Sequence, residues 1–169
     1  MHYLNYQIKQ KVWSLKSSYE IRDDIGNLLY TVKAKGFHMW KKLFFSDIDG
    51  KDIFFISQKP WSFPPKFEIL EQGITVAEVH KRMAFLQHKI DFFIGENTDV
   101  EITGNVWRRE FSFERNGQNI ASVSKKMWSW GDTYGMRILE GEDHDLLLAS
   151  AIVIDLMLYN NQGNSGGGG

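Results

Sequence analysis

The chain has 169 residues, enough for one domain with a full hydrophobic core. Its 20 lysines and arginines against 21 aspartates and glutamates leave a net charge of −1, which excludes a wholesale polycation built to coat nucleic acid; 43% hydrophobic and 14% aromatic content excludes disorder. The lack of any cysteine removes disulfides, thiolate nucleophiles, iron–sulfur clusters and cysteine zinc sites together.

The opening stretch from Met1 to Lys9 contains no apolar signal region, so a reducing cytoplasm is the expected compartment. From there the chain repeats itself. Trp13-Ser14 with Tyr19, Trp61-Ser62 with Phe67 and Trp128-Ser129 with Tyr134 are three versions of one phrase, preceded by Lys11, Lys59 and Lys126. Between them, turn-like settings hold Gly26, Gly50, Gly73, Gly95, Gly117 and Gly141, roughly 22–24 residues apart, the recurrence expected of two strands with a turn at either end. Tyr19-Glu20-Ile21-Arg22, Leu29-Tyr30-Thr31-Val32-Lys33 and Phe111-Ser112-Phe113-Glu114 alternate as strands do. Ile53-Phe54-Phe55-Ile56 is apolar throughout, which predicts either burial on both faces or a bulge. Six such units give about twelve antiparallel strands, and that many strands close into a barrel rather than leave edges exposed.

Leu146 to Tyr159 breaks the pattern: it is apolar except for Ser150 and Asp155, which a helix would place about 140° apart, so no polar face exists. A helix apolar all round must be surrounded, by protein or by membrane. About fourteen residues rise roughly 21 Å, short of a ~30 Å hydrocarbon core, so protein is the better surround. Nine large aliphatic side chains on it, each worth ~1.5–3 kcal/mol when buried, make the helix a condition of folding. The fold expected is therefore an all-β closed antiparallel barrel around a central buried C-terminal α-helix. Its expected bounds are residues 1–162, with 163–169 a flexible glycine-rich tail.

Gln10-Lys11-Val12-Trp13-Ser14-Leu15, Tyr19-Glu20-Ile21, Asp47-Ile48-Asp49-Gly50, Trp128-Ser129-Trp130-Gly131-Asp132-Thr133-Tyr134 and Ala151-Ile152-Val153-Ile154-Asp155 resemble the LURP-one-related proteins, in particular their small bacterial relatives, within the tubby C-terminal-like superfamily. The resemblance runs to about residue 160. It implies a twelve-stranded barrel around a central helix. Of the wider superfamily it implies an association with lipid, since tubby proteins bind phosphoinositides and phospholipid scramblases act at membranes, though this is analogy of fold. Scramblases carry cysteines for palmitoylation, and this chain has none.

The period also sorts the charges. With the glycine turns at one end of the barrel and the other connections at the opposite end, sixteen of the twenty lysines and arginines fall at the second end, against four acids; the glycine end is strongly acidic. A helix entering after Gly141 starts among Glu140, Glu142, Asp143 and Asp145, where its dipole favours anions and Asp143 fits the N-cap. That explains the acidic end better than the basic one. The basic rim is the candidate site for an anionic ligand, with Lys41, Lys42, Lys81, Arg82, Lys125 and Lys126 as its residues.

Other chemistry finds little support. There is no nucleophile elbow, phosphate loop or dinucleotide fingerprint. Asp47-Ile48-Asp49-Gly50-Lys51-Asp52 has neither the length nor the final Glu of a calcium loop and fits a hairpin turn. The five histidines show no metal spacing. The three repeated tryptophans fit packing and turn stabilisation better than a ligand groove, and Asp155 fits a hydrogen bond to a strand or an indole near the helix exit. The reading is a non-enzymatic binding module without metal or cofactor. It would meet anionic lipid headgroups or an acidic protein through the basic rim, with no nucleic acid and no transmembrane span. The alternative is a protein-interaction or structural scaffold with apolar contacts and no lipid ligand.

Overall fold

The computed structural model describes residues 1–13, 16–34, 41–81, 92–95, 100–105, 108–125 and 133–160. Strands β1 (Tyr3–Trp13), β2 (Lys16–Asp23), β3 (Leu28–Ala34), β4 (Lys42–Asp47), β5 (Asp52–Gln58), β6 (Lys66–Glu71), β7 (Ile74–Lys81), β8 (Phe92–Gly95), β9 (Val100–Asn105), β10 (Glu110–Arg115), β11 (Gln118–Ser124) and β12 (Thr133–Leu139) precede one helix, α1 (His144–Asn160). Every strand pairs antiparallel with its sequence neighbours. β1 also pairs with β12 over Tyr3↔Leu139 to Lys9↔Thr133, so the strand order runs as a closed barrel.

Alternation sets which side chains face inward. Tyr6 and Ile8 of β1, Tyr19 and Ile21 of β2, Phe45 of β4, Phe67 and Ile69 of β6, Ile102 of β9, Phe113 of β10, and Met136 and Ile138 of β12 are all buried. From Leu146 to Met157 every residue of α1 is buried as well, so the helix has no solvent face. Its two ends bond to opposite ends of the strands. Tyr6 shares a hydrogen bond with His144 Nδ1 at 2.7 Å and Tyr30 donates to Asp145 at 2.7 Å near the entry, while Tyr19 donates to Asp155 at 2.9 Å near the exit. The helix is threaded through the sheet it packs against.

The helix start is capped as the sequence predicts: Leu146 N donates to Asp143 Oδ1 at 3.0 Å and Leu147 N to the Asp143 carbonyl at 3.1 Å. The glycine turns also recur in structure. Gly26, Gly50, Gly73, Gly117 and Gly141 all have positive φ. Two of the turns share one design, in which an aspartate side chain (Asp23, Asp47) accepts the amide of the residue four places on (Asn27, Lys51) while its own amide bonds that residue's carbonyl.

The four described hairpins at that end each carry a register shift close to the turn, at Ile21/Arg22, Phe45/Ser46, Ile69/Leu70 and Phe113/Glu114. The repeated unit is therefore strand, bulge, glycine turn, strand, and the bulges bend and twist the wall as a curved sheet requires. The second of them resolves the apolar run in β5. Phe45 opposes Phe54 and Ser46 opposes Asp52, so Ile53 is the extra residue. In that run Phe54 and Ile56 are buried and Ile53 is half-buried against the core, while Phe55 is half-buried and packed on Phe44 at a ring separation of 5.2 Å. The bulge is present, and burial on both faces is not.

Candidate functional site

The connections expected to be basic join β1–β2, β3–β4, β5–β6, β7–β8, β9–β10 and β11–β12, and the exit of α1 lies among them. Lys41 precedes β4, Lys42 begins it, Lys81 ends β7 and Lys125 follows β11, so topology brings all four to this end. They are spread around the rim: β7 is three strands from β4, and β11 a further four. Lys125 is exposed and Lys42 half-buried. Arg82, Lys126 and the side chain of Lys81 lie outside the described residues, as do Trp128 and the side chain of Trp13.

Lys41 differs from the others. Its side chain is half-buried, and desolvation holds its ammonium pKa below the usual lysine range, partly opposed by the nearby Asp155 carboxylate. It faces the helix exit, where a buried polar cluster has formed. Asp155 is 4% exposed and accepts from Tyr19, whose hydroxyl in turn accepts from Gln10 Nε2 at 3.3 Å; Arg109 Nε stands 4.0 Å from Asp155 Oδ1. Burial and then the Asp155 charge push the Tyr19 phenol well above its ordinary pKa. Tyr134 lies opposite, fully buried, its phenol raised by the same two causes in the same order. Its hydroxyl has no hydrogen-bond partner among the described residues. Arg109, Tyr134, Ile154 and Asp155 line a cavity of about 10 Å³, the size of a single water. The groups are a cation, a carboxylate and two phenols gathered around that space. Through Tyr19 and Arg109 the cluster ties the Asp155 end of the helix to the surrounding wall.

Several cations of the repeat are already paired. Lys59 bonds both Glu78 and Glu68, the latter at 2.9 Å, where those two carboxylates oppose each other across β6 and β7. Lys11 similarly pairs with Glu20, which Arg22 also bonds at 3.0 Å. Lysine 59 in the second copy of the repeated phrase, and lysine 11 in the first, are thus wall residues engaged with carboxylates across neighbouring strands, and the rim must draw on other cations. Among the described residues Lys42, Lys66, Arg108 and Lys125 stand at that end in addition to Lys41.

The expectation that the repeated tryptophans pack fails for Trp61. It is 87% exposed, and Phe63, two residues on, is 89% exposed. Neither was singled out by the alternation pattern, because both sit in a connection, where alternation carries no information. Ser62 ties its own loop: its hydroxyl donates to the Lys59 carbonyl at 3.0 Å and accepts the Lys66 amide at 3.0 Å. Gln10 was legible, being the next inward position after Tyr6 and Ile8, whereas Arg109, with φ 50, sits in a connection that gives no such signal.

Among the described residues no three His, Asp or Glu side chains converge as a metal site, and no helix is long and apolar enough to cross a membrane. The model of the family described as LURP-one-related matches residues 4–155. The uncharacterized protein YxjI of Bacillus subtilis (strain 168) is 38% identical over 159 residues, covering 94% of this chain and 96% of that one. A solved structure of a protein from Arabidopsis thaliana superposes with a TM-score of 0.64 at 18% identity, covering 94% of this chain and 92% of that one, which is a likeness of fold.

Proposed function

The chain belongs to the LURP-one-related family, and from that premise we propose that it is a non-enzymatic tubby-like binding domain whose basic rim engages an anionic surface, namely phospholipid headgroups at a membrane face in the cytoplasm. The observation that carries the reading is the segregation of charge: sixteen of twenty cations belong to one end of the chain's repeating unit, and Lys41, Lys42, Lys66, Arg108 and Lys125 stand there among the described residues. Such an end attracts an anionic surface within a Debye length, at about 1 kcal/mol per cation near the lipid. Residues 1–162 form the folded unit in this reading and 163–169 a tail outside it; Lys81, Arg82 and Lys126 complete the rim.

The test is sedimentation with phosphatidylcholine vesicles and with vesicles containing phosphatidylserine, at low and high salt. Binding confined to the anionic vesicles and weakened by salt is expected. Lys125→Glu with Lys126→Glu is expected to weaken it and leave the melting temperature nearly unchanged. Equal sedimentation with both vesicle types would rule the reading out.

A second reading, a protein-interaction scaffold, is favoured by one observation at the opposite end. Ile25, Ile48 and Ile74, on three successive glycine-end hairpins, are 80%, 66% and 71% exposed where turn chemistry favours polar residues. A partner held there would stay bound at high salt and after charge reversal of the basic rim.

A further inference from the structure

We propose that the loop joining β5 to β6 is a preformed membrane anchor, with Trp61 and Phe63 entering the boundary between headgroups and acyl chains while neighbouring lysines meet the lipid phosphates. This rests on the anionic-surface reading above and names the element that makes contact.

Four observations converge on the loop. Trp61 and Phe63 are the most exposed aromatic side chains described, at 87% and 89%, and they stand one residue apart. Trp61 holds φ 58, a conformation unfavourable for a side chain of its size, so the loop orients the indole outward at a backbone cost. The loop is closed by its own backbone and by Ser62. Its ends are tied by the Lys59 amide to the Lys66 carbonyl at 2.9 Å, by both bonds of Ser62, and by three prolines at 60, 64 and 65 that restrict the backbone. The fourth is charge. The loop ends at Lys66, and Gln58, just before it, donates its amide to the Lys41 carbonyl at 2.9 Å, which joins the base of the loop to the start of the adjoining strand β4, where Lys42 stands.

Exposed apolar rings cost solubility on an isolated domain. At a bilayer boundary the cost reverses, since Trp and Phe partition there and adjacent lysines gain from anionic lipid. A soluble phosphorylated ligand would use the lysines but give the two rings nothing to enter, which is why the occupant is a bilayer.

The experiment uses the full chain, vesicles of phosphatidylcholine with phosphatidylserine, and the variants Trp61→Ala, Phe63→Ala and both together. The double variant is expected to keep the wild-type melting temperature and the steep salt dependence of binding, and to bind at least about tenfold more weakly. Because the chain has six tryptophans, the emission of Trp61 is read as the difference between wild type and Trp61→Phe. That difference is expected to shift blue on anionic vesicles and to be quenched by brominated acyl chains. Wild-type binding that the double variant fully retains, with no quenching of the difference emission, overturns the anchor and leaves the charge reading standing. No wild-type binding to anionic vesicles overturns both. A large fall in melting temperature in the double variant would show the rings to be packed, and a wild-type dimer that the double variant dissolves would make the loop a self-association surface; either result overturns the anchor.

Discussion

The Tyr19 hydroxyl donates to Asp155 Oδ2 at 2.9 Å, and so a residue near the start of β2 holds the one carboxylate on the buried part of α1. Tyr134 lies beside the same carboxylate, with its hydroxyl buried and no partner among the described residues. Two phenols in one cluster therefore do opposite work. Tyr19→Phe removes a donor from a buried charge and is expected to cost about 1–3 kcal/mol, whereas Tyr134→Phe removes a buried hydroxyl that returns nothing and is expected to be neutral or slightly stabilising. Urea denaturation of both variants measures the contrast. Equal losses would mean that the Tyr134 hydroxyl is bonded in solution.

The helix predicts a second result. Ile152 is fully buried on a segment with no solvent face. Ile152→Ala leaves a cavity and is expected to cost about 2–5 kcal/mol. Ile152→Asp places a charge where nothing pairs with it and is expected to prevent folding altogether. Soluble yield and circular dichroism distinguish the two, and a cooperative melt of Ile152→Asp would mean that the helix lies outside the strands.

Acid tests the outer wall. The Glu78 carboxyl is held below its ordinary pKa chiefly by its hydrogen bond from Lys59, against an opposing cost of burial, and Glu20 is held down in the same way by Lys11. For a carboxylate lowered on folding, the stabilisation is present above the unfolded value of about 4.3 and is lost as pH falls through the lower folded value. The melting temperature of the wild type is expected to drop as pH goes from 5 to 3. Glu78→Gln lacks its share, so it melts lower than wild type at pH 7 and the gap narrows toward pH 3. A gap that stays constant over that range would show that the pair is not linked to folding.

How far the molecule was legible in the sequence differs from one element to the next. The strands could be read because each has one inward and one outward face, as Phe67 and Ile69 against Glu68 show, and α1 could be read because it has no polar face at all. The Asp143 cap and the Asp23 and Asp47 turns were legible since their chemistry is local. The bulge at Ile53 was only half legible, because an unbroken apolar run fits two structures until the partner strand is known. Trp61 was misread, since a repeated phrase implies equivalent position but says nothing of which way a loop residue points. The pairing of Lys59 with Glu68 and Glu78 was not legible, because position along a strand does not determine which carboxylate a long side chain reaches.

Gly104 and Gly50 separate two reasons for glycine. Gly104 in β9 opposes Phe111 of β10, and a Cβ placed on it would stand 2.8 Å from the Phe111 Cα and 2.8 Å from its ring, besides pressing on the Glu110 carbonyl. Two of those contacts are backbone of the paired strand, which a rotamer change cannot relieve. Gly104→Ala is expected to be destabilising by about 1–3 kcal/mol or more, with the pairing of β9 and β10 locally lost. Gly50, at φ 81, has open space where its Cβ would go, so Gly50→Ala meets only backbone strain of about 1–2 kcal/mol. The two are told apart by Gly→Asn, a residue that tolerates the left-handed region but is larger than alanine: Asn is expected to recover stability at position 50 and to worsen the loss at 104. Recovery at both positions, measured by thermal melts, would mean that Gly104 is required for conformation and not for the close approach of β10.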